Sequence, residues 1–382
     1  MMKAKVLSME WNKNGLLPLE WFRQMRTESP VAAIDGGGAW NVFKYEDVKA
    51  VFTNYEVFSS QGSSSSDDPI ESSVLRQDPP KHRQLRKLVS HAFTPRMIES
   101  LAPKIQEITT SLLDEAEKKG KMDIVADLAS PLPITVIAEM LGVSMEYRER
   151  FKAWSDALVG DNPDAYYQCQ REMSEYFSEI AEDRRRHPQD DLITKLVEAR
   201  IDNEHLTELE IIGFCILLLV AGNETTTNLI SSAVLAFDSL PEVRAEVLGD
   251  SALLPGAIEE VFRYFSPVQL MFRSVKQDTV LRGQELKQGQ FVYIWMASAN
   301  HDKDVFDQPD VFNIHRNPNP HLGLGSGIHY CMGSQLARME SRIALQTLLD
   351  RFPEYRRDRS AELARMDSTM MFALRELPII LK

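Results

Sequence analysis

The chain has 382 residues, with 43 Lys and Arg against 56 Asp and Glu for a formal net charge of −13, and 43% of its residues are apolar. That length and apolar content supply a substantial core, enough for one large domain or two ordinary ones without disulfide support. The acidic balance excludes a phosphate-backbone binder, since no basic run or tail offsets it at either end. Cys169, Cys215 and Cys331 stand far apart and form no CxxC or Cys/His zinc spacing, so a reducing, cytoplasmic setting is expected. The first residues, MMKAKVLSMEWNKNG, hold no apolar core of signal-peptide length. The longest apolar run, Ile211 to Ala221, falls short of the ~20 residues that cross a bilayer, and no membrane association is expected.

In chain order, Trp40 to Tyr45 reads as a short strand, followed by a helix over Glu46 to Phe52. Ser59 to Pro69 (SSQGSSSSDDP) is too polar to pack and reads as a surface loop of the kind that lids a binding site. In DPPKHRQLRKL, Asp78 to Leu88, two prolines launch a helix that sets His82 and Arg86 four apart on one face. That spacing suits two carboxylates or phosphates of one ligand, and a solvated basic helix start explains it as well. From Lys81 to Leu196 the pattern is mostly amphipathic helix, as at Ile105 to Ala116 and Ile134 to Leu141, broken at Pro131, Pro133, Pro163 and Pro188.

Thr207 to Ser239 is the longest helical reading, opened by a capping box of Thr207 and Glu210 and closed before Pro241. Ile216 to Val220 predicts burial on most sides, yet Gly222 to Asn228 (GNETTTN) sets seven poor helix formers at the centre of the rod. The AGNETT segment, 221 to 226, has two readings. In one, Thr225 bonds back to the carbonyl a turn earlier and Glu224 faces a wet crevice. In the other, the hydroxyl opens a groove beside Gly222 and, with Glu224, relays protons into a dry pocket. Giving up helix stability at a buried centre points to the second.

A helix over Ala257 to Phe265 carries Glu260 and Arg263 at i,i+3, a spacing also present at Glu20/Arg23, Glu182/Arg185, Glu354/Arg357 and Glu362/Arg365. Only its place in the order, ahead of Arg316 and the cysteine turn, sets it apart. Thr279 to Arg282 and Gln290 to Trp295 read as a β-hairpin region around Gly283 and Gly289. In LGSGIHYCMG, 324 to 333, glycines around Cys331 let amides approach the sulfur, and a helix from Ser334 to Phe352 starts beside it. Both features favour a thiolate. An incidental cysteine in a glycine turn is the alternative, and a dinucleotide loop is weaker because Tyr330 stands where the third glycine belongs. Phe372 to Leu381 ends the chain as an extended piece. Helix dominates, and the absence of alternating strand and helix units argues against a parallel-sheet nucleotide-binding fold.

Taken together and in this order, DPPKH at 78, AGNETT, EEVFR at 259 to 263, ASANHDKDVFDQPDVFNIHR at 297 to 316 and the cysteine turn resemble the cytochrome P450 family, specifically its soluble bacterial members. The resemblance covers nearly the whole chain. It implies a mainly α fold in a single domain over 1–382, with a long central helix and haem b (iron protoporphyrin IX) buried between helices. The helical portions would be about 81–265 and 334–352, and the β-rich portions about 30–60, 279–300 and 368–382. By the same resemblance Cys331 is the axial thiolate on haem iron, and His82, Arg86, Arg273 and His329 hold the haem propionates. Glu224 and Thr225 deliver protons to dioxygen, and Glu260, Arg263 and Arg316 form a buried structural triad. Two positions depart from the family pattern: Leu324, where a phenylalanine usually packs by the sulfur, and His301, where arginine is common.

Family position puts the substrate pocket along Ser63 to Leu75, with Val74, and at Val220, Asn223, Val268, Leu270, Met271, Met370 and Met371. This apolar, methionine-bearing set suits a bulky lipophile and reads equally as ordinary core. The implied activity is hydroxylation of a steroid, terpenoid, fatty acid or similar lipophile, using O2 and two electrons from NAD(P)H through a reductase and a ferredoxin or flavodoxin. Lys81, Arg83, Lys87, Arg96, Arg338 and Arg342 offer a basic face to an acidic electron donor. An H2O2-driven peroxygenase and a non-catalytic haem-binding sensor are the alternatives, and retention of Glu224 and Thr225 disfavours the first.

Overall fold

The computed structural model of the protein describes residues 16–34, 36–62, 68–160, 162–201 and 204–381. Its helices in the first half are α1 (Leu19–Glu28), α2 (Tyr45–Thr53), α3 (Pro69–Ser72), α4 (Lys81–Ala92), α5 (Pro95–Ser100), α6 (Ala102–Lys119), α7 (Pro131–Leu141), α8 (Arg148–Val159) and α9 (Pro163–Arg186). They continue as α10 (Leu192–Glu198), α11 (Glu208–Ser239), α12 (Pro241–Gly249), α13 (Leu254–Tyr264), α14 (Met296–Ala299) and α15 (Ser334–Arg351). The strands are β1 (Val31–Ala33), β2 (Ala39–Val42), β3 (Phe58–Ser59), β4 (Lys121–Asp123), β5 (Arg200–Ile201), β6 (Glu204–His205), β7 (Met271–Val275), β8 (Thr279–Leu281), β9 (Gln284–Leu286), β10 (Phe291–Ile294), β11 (Arg356–Arg357) and β12 (Pro378–Ile380).

Pro131 and Pro163 open α7 and α9 rather than breaking them, because a proline in the first helical turn gives up an amide that has no helical partner. The extended ending contracts to β12, which pairs with β4 and β11. The hairpin expected over 279 to 295 divides in two. β8 and β9 pair around Arg282 and Gly283, both at positive φ, while β10 leaves to pair antiparallel with β7 and parallel with β2. Burial decides this: Val292 and Ile294 of β10 are fully buried in the larger sheet, whereas Val280 of β8 is 65% exposed. The polar run also differs from a plain surface loop. Ser59 and Ser60 are buried under Asp78, Pro69 starts α3, and residues 63–67 lie outside the described residues.

The helix α11 has 32 residues and runs about 48 Å at the ordinary helical rise. Thr207 and Glu210 make both halves of the capping box, at 3.3 and 2.8 Å. Counted through its polar centre, the helix is long and apolar enough by composition to cross a bilayer, and 61% of its most apolar window is buried within the protein. The helices α3, α7, α8, α9, α13 and α15 pack around it. Contact with α3 depends on Gly213, since a Cβ there would lie 2.0 Å from the Pro69 carbonyl oxygen. A separate aromatic core of Phe22, Phe43 and Trp295 joins α1 to the five-stranded sheet.

Candidate active site

Between Ile211 and Asp238 the residues of α11 that escape full burial are Leu217, Leu218, Val220, Ala221, Gly222 and Thr225. At 3.6 residues per turn, all of these but Val220 share one side, so an otherwise buried rod presents one open stripe at mid-length. Thr225 Oγ1 donates to the Ala221 carbonyl at 2.5 Å, a back-bond that competes with the helical ladder. Glu224 next to it is 4% exposed, so it does not face a wet crevice. Asn223 Nδ2 donates to Glu224 Oε1 at 3.1 Å. Burial pushes the Glu224 carboxyl up to about 7, with Asp156 pushing the same way and Lys152 opposing. Lys152 and Asp156 form a 2.8 Å ion pair on α8 and are each about one-third exposed, so solvent reaches the pair that Glu224 senses.

The cysteine turn is shaped by Gly325 and Gly327, at φ of 73° and 69°. The Cys331 N–H donates to the Leu324 carbonyl at 3.0 Å, and Leu324 is buried beside it. Burial raises the Cys331 thiol above its ordinary value, although the Gly333 and Ser334 amides and the charges of Arg338 and Arg86 pull it down. Burial thus favours the thiol while the amides at the start of α15 favour the thiolate, and a coordinating metal ion would displace the proton. Among the described residues no group of three or more His, Cys, Asp or Glu gathers to hold a metal ion, and Cys331 is the side chain that would ligate a haem iron.

Above that turn, the His82 and His329 rings lie 4.4 Å apart. His82 is 2% exposed, and neither of its ring nitrogens has a partner among the described residues. His329 Nε2 pairs with Ser60 Oγ at 2.8 Å. Burial, then the charge of Arg273, pushes His329 down to about 3, while burial followed by the Arg86 charge lowers His82. Arg273 is 3% exposed, sits 5.3 Å over the Phe52 ring and donates to the Phe272 carbonyl. Burial lowers it to about 10. Neutral imidazoles and a buried guanidinium, with no carboxylate in ion-pair reach among the described residues, fit a ligand that brings its own carboxylates, as haem does with two propionates. Arg86 is committed elsewhere. It donates to the Ile328 and Tyr330 carbonyls at 2.8 and 2.9 Å and clamps the cysteine turn to α4.

Sequence reasoning did not pick out Ser60 or Arg76, and it assigned Asp78 no role. Asp78 accepts from Ser59 Oγ at 2.6 Å and the Ser60 amide at 3.1 Å, which sets Ser60 against His329. The DPP motif was the available signal. Glu260 and Arg263 are both 0% exposed and joined at 2.7 and 2.9 Å, and Arg316 reaches Glu260 at 3.3 Å. Arg263 also ties down the carbonyls of Asn300, Pro309 and Val311.

The expected pocket residues separate into two groups. Val268, Met271 and Met370 are half-buried and come together, since Val268 bridges to Met371 and the Gln269 N–H donates to the Met370 carbonyl at 2.8 Å. Val74 is buried in the main core. Leu270, just ahead of β7, packs instead with Phe22, Phe43 and Trp295. Asn223 is fully buried on the far side of α11 from the open stripe, held to Glu224 and Thr227. Part of the expected lining, residues 63–67, lies outside the described residues.

The family model described as Cytochrome P450 matches residues 134–382. The chain is 42% identical over 379 residues to cytochrome P450 109 of Bacillus spizizenii, covering 96% of this chain and 92% of that one. Among solved structures it is similar to CYP109E1 from Bacillus megaterium in complex with testosterone, with a TM-score of 0.93, 41% identity, and 96% and 98% of the two chains covered. It is also similar to P450BioI in complex with acyl carrier protein ligated to hexadec-9Z-enoic acid, with a TM-score of 0.89, 36% identity, and 96% and 98% covered.

Proposed function

The chain belongs to the cytochrome P450 family of haem b monooxygenases, and we propose that it hydroxylates a lipophilic small molecule of the steroid, terpenoid or fatty-acid kind. One observation carries the reading: the open stripe on α11 ends at Thr225, directly beside the buried Glu224. The half-buried Val268, Met271 and Met370 support an apolar substrate, as do the testosterone and the fatty acyl group in the similar structures.

When bound, haem would supply dioxygen activation, and Cys331 would hold its iron through the thiolate sulfur. The residues of this chain manage protons, position and water. Glu224 takes up protons by way of the half-open Lys152–Asp156 pair and holds one near neutrality. Thr225, with its hydroxyl hydrogen on the Ala221 carbonyl, leaves its oxygen lone pairs free to accept from the acid side. The apolar surroundings of the stripe keep bulk water from the reacting atoms. His82, Arg273 and His329 would hold the propionates, while Arg86 secures the loop that carries Cys331. Dioxygen with two electrons needs two protons from outside whereas hydrogen peroxide brings its own, so a buried acid tuned to neutrality fits the dioxygen route better than the peroxide-driven alternative.

The electron route in this reading runs from NAD(P)H through a reductase and a ferredoxin or flavodoxin, in the cytoplasm, to a single domain spanning 1–382. The docking face narrows. Lys81 is paired with Glu210 and Arg338 with Glu259, whereas Arg83, Lys87, Arg96 and Arg342 are exposed without an ion pair among the described residues. The function is tested by reducing the purified haem-loaded protein under carbon monoxide. The expected outcome is the far red-shifted Soret band of a thiolate-ligated haem, lost in Cys331→Ala. Its absence from the folded wild type, or its persistence in the variant, would sink the assignment.

A further inference from the structure

The helix α13 turns Glu260 toward Arg263 and Arg316, and its neighbour Glu259 toward α15. Arg338 of α15 donates to Glu259 through Nε and Nη2, at 2.6 and 2.8 Å, a bidentate pair. His321 Nε2 donates to the same carboxylate at 3.1 Å, and the Gly323 N–H donates to His321 Nδ1 at 3.2 Å, which fixes that tautomer. The His321 ring and the Arg338 guanidinium both lie against the Phe262 ring, at 5.6 and 5.8 Å. The loop can press this close to α13 because position 323 has no side chain: a Cβ there would lie 2.5 Å from the Phe262 carbonyl oxygen. One cation, one anion and one imidazole thus join α13, α15 and the segment that leads into the cysteine turn.

Arg338 brings this cluster to Cys331. It stands four residues after Ser334 on α15, on the side of the helix whose Ser334 amide meets the sulfur. It also bonds the side chain of Tyr330, next to the cysteine, and its charge favours a thiolate there. Burial opposes a charge on Glu259, yet hydrogen bonds from Arg338 and His321 hold its carboxyl down to about 2, so it remains an anion beside that cation. Both side chains are about one-third exposed, so solvent screens the pair in part. An electron arriving at a thiolate-ligated iron adds negative charge, which a nearby cation favours and a nearby anion opposes. We propose that Glu259 is a positioning residue for electron uptake: it fixes Arg338 beside the cysteine turn and offsets its charge, so that the pair sets the reduction potential of the bound haem. The proposal rests on the P450 reading and deepens the account of that same site.

Reduction potentials of the purified haem-loaded enzyme are read by dye-mediated titration, which keeps the protein electron donor out of the measurement. Glu259→Gln leaves Arg338 uncompensated and should raise the potential, changing the ferrous-to-ferric ratio at a fixed poise by about threefold or more. Arg338→Gln leaves the anion and should lower it by a similar factor. The double variant should return near the wild-type value, and Glu259→Asp should keep it. Opposite signs mark a charge effect: a cluster that only ties helices together would shift both single variants the same way or neither, and either result overturns the proposal. If Glu259→Gln does not retain haem, Arg338→Gln decides by itself, and a potential at or above wild type overturns the proposal. The carbon monoxide band is recorded for each sample. If it is present while the potentials do not move, this inference alone fails, and if it is absent from wild type, the P450 reading fails first.

Discussion

Burial pushes the Glu224 carboxyl up to about 7, so near neutrality it is divided between its two protonation states. An acid that donates must be protonated, and product formation should fall as pH rises through about 7. Glu224→Gln holds no transferable proton, so its kcat should drop roughly 10²-fold and the alkaline limb should vanish. A limb that survives in the variant belongs to another group. The same residue links to stability: its folded value lies above the ordinary value of 4.5, so its contribution is complete below about 4.5 and is lost as pH rises through about 7. Thermal melts of Glu224→Gln should therefore lose less stability over that window. Thr225→Ala should keep consuming electrons while diverting much of the flow to peroxide, and an unchanged product yield would refute its role. Glu260 has a different weight. It is fully buried between Arg263 and Arg316, and Glu260→Gln leaves guanidinium charge uncompensated. Urea unfolding should register a loss of about 3–5 kcal/mol, and a loss within error would make the triad dispensable.

At the scale of elements, α11 was the most legible part of the chain, because a capping box, an apolar run and a following proline all act within a few residues of one another. The route of β10 was not legible. Its pairing with β2 joins Phe291 to Ala39, and no local pattern announces a partner that distant. Close approach of α3 to α11 was equally hidden, since it turns on the missing side chain of Gly213. Gly213→Ala should push α3 away, cost about 1–3 kcal/mol in urea unfolding and weaken lipophile binding. Gly249→Ala, where an added Cβ meets nothing within 4 Å, is the matched control and should do neither.

For the whole molecule, a net charge of −13 coexists with exposed Arg83, Lys87 and Arg342, none of them in an ion pair among the described residues. Reversing these three charges should slow reduction by an acidic ferredoxin about tenfold or more at low salt. The difference should close at high salt, as the screening length falls from ~10 Å at 0.1 M to ~3 Å at 1 M. Equal rates at low salt would remove this face from the docking model. By itself the sequence determined the order of its motifs, the long helix with its polar centre, the cysteine held by glycines, and through them the family. These depend on spacings of a few residues, where steric and hydrogen-bonding rules act locally. Only the tertiary structure decided that Arg86 clamps Ile328 across 242 residues of sequence, that Glu224 is buried beside a half-open ion pair, and that Leu270 turns into an aromatic core. Burial and partnership are properties of surfaces brought together from distant parts of the chain, and dielectric environment, hydrogen-bond satisfaction and pKa follow from them.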